Sequence, residues 1–320
     1  MRLVASFKKK FSGNQITVAK TVTEDMLVLA QKTAQAFSSL VSLPLTKKSS
    51  LLQVGDNYSE RSGSSLEFHD YREYSPGDDP SRIDWRAFAR TDRYLLKTFQ
   101  TETSPRIDIF LDFSRSMLFH PGKALRLMEL VFLLTELAEN DSASLKIHYF
   151  DQIGNQDKPP LSGGRDLPLA ILQAINSEPL TSPLSRDTGQ ILQDMAIKCR
   201  AGSYRIVISD LLFLSDPQVL IDSFQAGSGG LLLIAPYSKT ESNPDWSGQM
   251  KLIDCESGRN REIDVTAEVN QRYSDAWCRH FANWQETCNS RRAILQRVCA
   301  EGNFADSFIY PAVKSGCLLL

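Results

Sequence analysis

An apolar run, Ile107-Asp108-Ile109-Phe110-Leu111, ends in Asp112-Phe113-Ser114-Arg115-Ser116-Met117. A carboxylate and two hydroxyls at alternating positions make a cluster of hard oxygen donors. Such donors suit a small divalent cation, magnesium or in its place manganese, which takes oxygen ligands and keeps several waters. A cation held this way has open coordination positions and can accept a carboxylate from another protein. The pattern therefore points to metal-assisted binding before catalysis. A second acid, Asp210, closes the buried run Tyr204-Arg205-Ile206-Val207-Ile208-Ser209. A fifth donor has to come from a third loop. Thr188, opening the helix before that run, is the natural choice, and Thr181 and Ser185 are close enough to compete. The plainer alternative is that Ser114 and Ser116 only cap the next helix while Asp210 makes a buried hydrogen bond.

From about residue 106 the sequence alternates strands with helices. Ile107–Leu111, 145–150, 204–210 and 231–235 read as strands. Stretches 123–139, 167–175, 188–201 and 218–224 have helical periodicity. That alternation implies a doubly wound, mostly parallel α/β sheet. Ligands bind such sheets beyond the carboxyl ends of the strands, which is where Asp112 and Asp210 both fall. After Pro236, a hairpin is expected over 251–265, followed by one long helical stretch from Val269 to Ala300. Trp277, Phe281 and Trp284 form its core-facing stripe.

Residues 1–105 have a different character. Thr23-Glu24-Asp25 starts a helix with Leu27, Ala30, Ala34 and Phe37 on one face. Residues 49–80 are rich in Ser, Gly and Asp. Ile83–Arg90 and Tyr94–Phe99 alternate like two short strands that pair with each other. Pro76-Gly77-Asp78-Asp79-Pro80 is turn chemistry. Arg72, Arg82, Arg86 and Arg90 interleave with Glu67, Asp70, Asp78, Asp79 and Asp84. Their simplest role is a network of charge-assisted hydrogen bonds, and a docking surface is the functional alternative. The resulting division is an N-terminal region 1–105, a sheet domain 106–240, and a hairpin with C-terminal helices over 241–320.

The Asp-x-Ser-x-Ser-Met array with a later Thr and Asp resembles the metal-ion-dependent adhesion site of von Willebrand factor A-like domains. That resemblance implies that the serines and the threonine ligate magnesium directly or through water, and that the two aspartates act largely through water. A partner's carboxylate would complete the shell. The stretch Gly63 to Trp85, followed downstream by the same array, resembles the hallmark of a bacterial family, number fifty-eight among domains of unknown function. The resemblance runs from about residue 23 to the C-terminal helices. It implies an α/β von Willebrand factor A-like sheet with an N-terminal helix, loop and short-strand extension. It also implies work beside MoxR-type AAA+ ATPases that remodel or activate client proteins. Many relatives carry N-terminal membrane spans, and no such span is expected here.

Composition excludes several classes. The net charge of -2 gives no electrostatic reason to expect nucleic acid. The short basic runs Lys8-Lys9-Lys10 and Lys47-Lys48 read as solvated loops. No segment reaches the roughly 20 apolar residues of a membrane span, and no signal peptide is expected. The chain is therefore read as cytoplasmic, or peripheral at the inner membrane. Six dispersed cysteines without a C-x-x-C pair are read as reduced thiols. The C-terminal Cys317-Leu318-Leu319-Leu320 matches a prenylation box by coincidence.

The leading expectation is thus a non-enzymatic metal-dependent adaptor, contacting the ATPase or a client through an acidic residue. No G-x-x-x-x-G-K-[ST] is present, so nucleotide dependence belongs to the partner. A hydrolase with Asp112 as nucleophile or metal anchor is the second possibility. No paired aspartate, serine elbow or loop-borne histidine base supports it, and His120 reads as a surface residue. A structural module without a functional metal is the third.

Overall fold

A computed structural model of the chain describes residues 22–45, 49–51, 66–102, 104–150, 156–176, 187–255 and 259–320. Two compact units divide it: one comprises the segments up to Pro44 and from Arg106 onward, the other Leu45–Pro105.

Helix α1 (Glu24–Ser38) is capped by Thr23, whose hydroxyl accepts the Met26 N–H. It belongs to the first unit. The second unit holds strands β1 (Ser49–Leu51) and β2 (Leu66–Glu73), helix α2 (Trp85–Thr91) and strand β3 (Leu95–Glu102), with strand order β1-β3-β2. One expectation is corrected here: Ile83–Arg90 does not form a strand. Asp84 turns its carboxylate onto the N–H groups of Arg86 and Ala87 and starts α2 instead, while β3 pairs antiparallel with β2. A strong N-cap satisfies donors that alternation alone leaves open. From the expected arginine–carboxylate network Arg72 pairs with Asp78, and beside it Arg93 pairs with Glu73. Arg90 bonds the Arg86 carbonyl. Arg72 and the Ser75 N–H hold the Asp78 carboxyl below its usual range.

In the first unit the chain continues through β4 (Arg106–Asp112), α3 (Arg115–Leu118), α4 (Pro121–Asn140), β5 (Ser144–Phe150), α5 (Leu167–Asn176), α6 (Thr188–Met195), β6 (Tyr204–Ile208), α7 (Pro217–Gln225) and β7 (Gly230–Tyr237). Next come α8 (Lys239–Ser242), β8 (Gly248–Ile253), β9 (Asn260–Val265), α9 (Ala267–Ser290), β10 (Ile294–Cys299) and α10 (Tyr310–Ser315). β8 and β9 form the expected antiparallel hairpin. Five strands make one sheet in the order β10-β7-β6-β4-β5, every pairing parallel. The architecture is α/β.

The central strands are buried on both faces, so they read as continuous apolar runs. Phe110, Val207, Leu233 and Leu295 pack toward α6, α7 and α9, meeting Leu192, Phe224, Phe281 and Trp284. Helix α4 covers other sheet residues and is itself covered by α1. A helix packed on both sides has few positions left for solvent, which is why α4 buries even Lys123, Arg126 and Glu129. Two boundaries differ from expectation. The helix begun at Thr188 ends at Met195, with only a short 3-10 turn to Lys198. The stretch 269–300 is not one helix: α9 stops at Ser290, Arg292 takes a left-handed turn, and β10 adds an edge strand. The apolar run Ile294-Leu295 with Val298 gains more by pairing with β7 than by extending a helix whose exposed face is polar.

Among the described residues no helix is long and apolar enough to cross a membrane, and no disulfide is formed.

Candidate functional site

The chain enters the five-stranded sheet at β4, adds β5 on one side, then crosses back to build β6, β7 and β10 on the other. The switch point lies between β4 and β6, the place where doubly wound sheets bind ligands beyond the strand ends. Asp112 ends β4, and Ser209-Asp210 directly follow β6.

Asp112 is fully buried and held from two sides. One carboxylate oxygen accepts the Ser114 N–H at 2.8 Å, and the other accepts the Ser209 hydroxyl at 2.6 Å. That second bond ties the end of β4 to the end of β6. Ser114 stands at the N-cap of α3, yet its hydroxyl makes no capping bond. It lies 3.0 Å from the Ser116 hydroxyl instead. The simple capping explanation for these serines therefore fails at Ser114.

Asp210 accepts the Leu212 N–H at 3.1 Å with one oxygen. Its other oxygen pairs with the Lys123 ammonium at 3.0 Å, which also reaches Glu241 at 2.8 Å. Lys123 is fully buried. Burial opposes its charge, but Asp210 and Glu241 together outweigh that and hold its pKa above the usual lysine value. Glu241 is fixed in turn, since its other oxygen accepts the Ser238 N–H in a capping box at the start of α8. Leu211, next to Asp210, has φ 56°, a conformation costly for a non-glycine residue. His280 on α9 donates its Nε2–H to the Leu211 carbonyl at 2.8 Å and pins that turn.

Thr188 is the first residue of α6. Its N-cap Asp187 accepts the Gly189 N–H at 3.1 Å and the Ser215 hydroxyl at 2.8 Å, which seats the helix start on the loop that follows Asp210. The approach is close: a Cβ on Gly189 would lie 2.3 Å from the Ser215 hydroxyl oxygen and 2.7 Å from the Phe213 ring. Only glycine fits. Thr188 is fully buried, and its hydroxyl has no hydrogen-bond partner among the described residues. Thr181 and Ser185 lie outside the described residues.

Hydrogen bonds thus join Asp112 with Ser114 and Ser209, Ser114 with Ser116, and Asp210 with Lys123. Thr188 joins none of these pairs directly. Sequence reasoning missed Ser209, Lys123 and Glu241. Only Lys123 left a trace, as a lysine inside the apolar stripe of α4.

The donor chemistry suits a small hard cation. It comprises two contacting hydroxyls, an unpartnered buried hydroxyl and two carboxylates. By formal charge, Asp112, Asp210 and Glu241 against Lys123 leave two negative charges, which one divalent cation would balance. Among the described residues no three His, Cys, Asp or Glu side chains are grouped for a metal, so hydroxyls would have to share the coordination. The arrangement differs from the sequence expectation in its enclosure. Asp112, Ser114, Ser116, Thr188 and Asp210 expose only 0–3% of their surface.

Residues 70–283 match the family model described as Protein of unknown function DUF58. The chain belongs to that family. Two solved structures are similar to it at low TM-score. One is an aerotolerance-related membrane protein from Bacteroides fragilis NCTC 9343 with multiple mutations to serines, 15% identical, covering 67% of this chain and 98% of that chain with a TM-score of 0.38. The other is the conserved hypothetical protein BatB from Bacteroides thetaiotaomicron, 13% identical, covering 67% and 98% with a TM-score of 0.36. No curated protein matches the chain.

Proposed function

We propose that the protein is a non-enzymatic, metal-dependent protein-binding adaptor built on a von Willebrand factor A-like domain. In this reading it works with a MoxR-type AAA+ ATPase in remodelling or activating client proteins, in the cytoplasm or at the inner membrane face. The observation that carries the proposal is the convergence at the sheet's switch point of the Ser114–Ser116 hydroxyl pair and buried Asp112, with the Thr188 hydroxyl, unpartnered among the described residues, at the start of α6, which Asp187 seats on the loop after Asp210. These residues and Asp210 would hold magnesium or manganese. Such an ion supplies a coordination position for an acidic side chain of the ATPase or client.

The protein's own groups do the rest. Ser209 and the Ser114 N–H keep Asp112 oriented, and Lys123 pairs with Asp210 inside an apolar surround. With both oxygens of Asp112 engaged, the carboxylate is better placed to orient than to attack, which favours binding over hydrolysis. Because the five side chains are so deeply buried, a partner's carboxylate reaches them only when the 113–116 or 210–216 loop shifts. A shift at the Leu211 turn would relieve its strain and break the His280 bond to its carbonyl.

The test is affinity purification of the tagged protein in magnesium and in EDTA, with wild type, Asp112→Ala and the Ser114→Ala/Ser116→Ala double variant. An AAA+ ATPase retained in magnesium, released by EDTA and lost in both variants supports the reading. The serine variant leaves the Asp112–Ser209 bond intact, so its loss of binding is not explained by unfolding. A partner retained under every condition refutes the metal-dependent reading.

A further inference from the structure

Three arginines of the first unit that are buried or partly buried donate to protein oxygens through every guanidinium nitrogen. Arg126 pairs with Glu129 at 2.8 Å and donates to the carbonyls of Cys299, Ala300 and Gly302. Arg200 pairs with Asp108 at 2.7 Å and donates to the carbonyls of Ile107 and Ser144. Arg205 donates to the carbonyls of Phe224 and Arg200 and to the Ser203 hydroxyl. Arg297 differs from these three.

Arg297 lies on β10, in register with Ala235 of β7, between Leu295 and Cys299 on the same face. Its guanidinium carbon is 4.1 Å from the Phe281 ring centroid, 4.6 Å from Tyr237 and 5.6 Å from Trp277. Its ε N–H is buried and has no acceptor among the described residues. No carboxylate pairs with it there. Rings attract a cation through their faces and give a donor at most a weak N–H···π contact, so the ε N–H is left without an oxygen acceptor among the described residues. Leaving a charged donor this way is costly. A leucine or methionine would serve packing alone without that cost.

The three rings pack around the guanidinium carbon, and the terminal amines, which are not among the buried unpartnered atoms, form the edge that can meet a ligand. A planar fork of that kind matches an oxyanion bidentately. One guanidinium surrounded by rings carries a single positive charge, which balances a carboxylate better than a phosphate dianion. The cage also sits toward the carboxyl ends of β7 and β10, the side of the sheet where ligands are bound. The cage shares helix α9 with His280, which donates to the Leu211 carbonyl beside Asp210.

We infer that Arg297, caged by Tyr237, Trp277 and Phe281, is a carboxylate-binding site, taking an acidic side chain of a partner protein through its in-plane N–H groups. The site needs no metal and stands independently of the adaptor reading.

The experiment uses the full chain labelled with 15N at arginine and tryptophan, in EDTA, titrated with N-acetylglutamate and separately with neutral N-acetylglutamine. The Arg297 Nε–Hε resonance is assigned by its loss in Arg297→Lys, and the Trp277 indole resonance by its loss in Trp277→Phe. N-acetylglutamate should shift both resonances saturably, and N-acetylglutamine should shift neither. Arg297→Lys keeps the charge and the aliphatic packing but loses the fork. Followed at the Trp277 indole, its affinity should fall about tenfold, the cost of one charge-assisted hydrogen bond. No shift, equal shifts with the neutral amide, or unchanged affinity in Arg297→Lys overturns the inference. Tighter binding of inorganic phosphate than of N-acetylglutamate overturns the assignment to carboxylate.

Discussion

Lys123→Met removes the ammonium that two carboxylates share. Asp210 is 1% exposed and the Glu241 side chain 11%, so neither can recover full hydration in the native fold. Breaking a buried pair by deleting one partner costs about 3–5 kcal/mol, and the partial exposure of Glu241 draws the value toward the lower end. For a unit of this size that is a fall in Tm of about 6–12 °C. The assay is urea unfolding followed by tryptophan fluorescence, in EDTA and in excess magnesium. Asp210→Asn alone should cost less than Lys123→Met. The double variant should be less destabilised than the sum of the two, with a coupling of about 1–3 kcal/mol. In EDTA the lysine variant should be near its weakest. Magnesium should restore more to it than to wild type, since saturation at 100 times Kd contributes about 2.7 kcal/mol. No pH dependence from Lys123 is expected between pH 6 and 9. Its pKa is raised in the fold, so its stabilisation is complete below the ordinary lysine pKa near ~10.4 and is lost only as pH climbs through the folded value. A Lys123→Met variant within about 1 kcal/mol of wild type in EDTA, or strictly additive single changes, would falsify the buried ion-pair argument.

Thr188→Val replaces an unpartnered buried hydroxyl by a methyl group of similar shape. In EDTA it should be neutral or stabilising by up to about 1 kcal/mol, while any stabilisation by magnesium disappears; a destabilised variant in EDTA would mean the hydroxyl has a protein partner. His148 stacks on Phe110 in the core at 5.0 Å, and burial depresses its pKa against the opposing pull of Asp108. A depressed histidine contributes stability that is complete above the ordinary histidine pKa and lost as pH falls through the folded value. Denaturation midpoints measured from pH 7.5 to 5 should therefore fall, and fall less in His148→Phe, which keeps the stacked ring. Iodoacetamide at pH 8 followed by peptide mass mapping should modify exposed Cys278 first. Buried Cys288, whose thiol burial pushes up to about 12, should stay protected until the protein unfolds.

The alternation of strands and helices from β4 to β7 was legible in the sequence because it rests on local periodicity. Each strand there is a short, continuous apolar run and each helix an amphipathic one. Asp112, Ser114 and Ser116 were legible for the same reason, since their spacing is local and the strand that ends in Asp112 announces itself. Local signals also misled. Ile83–Arg90 alternates like a strand, yet Asp84 at its head starts a helix by capping two N–H groups. Ile294–Cys299 follows a long helix without a proline to end it, and its identity as an edge strand depends on β7 being there to pair with.

By itself, then, the sequence determined the class of fold, the strand ends and the oxygen donors that follow them. Tertiary structure alone decided which charges meet at those ends. Lys123 finds Asp210 across 87 residues and Glu241 across 118; Asp112 finds Ser209 across 97. Arg297 is enclosed by rings from β7 and α9. None of these partners is encoded by spacing. They follow from the strand order β10-β7-β6-β4-β5, which is set when the chain reverses direction across the sheet and each crossover buries its apolar face. The pairing of charges is a consequence of that packing, because a buried ion must take whatever counter-charge the neighbouring elements bring to it.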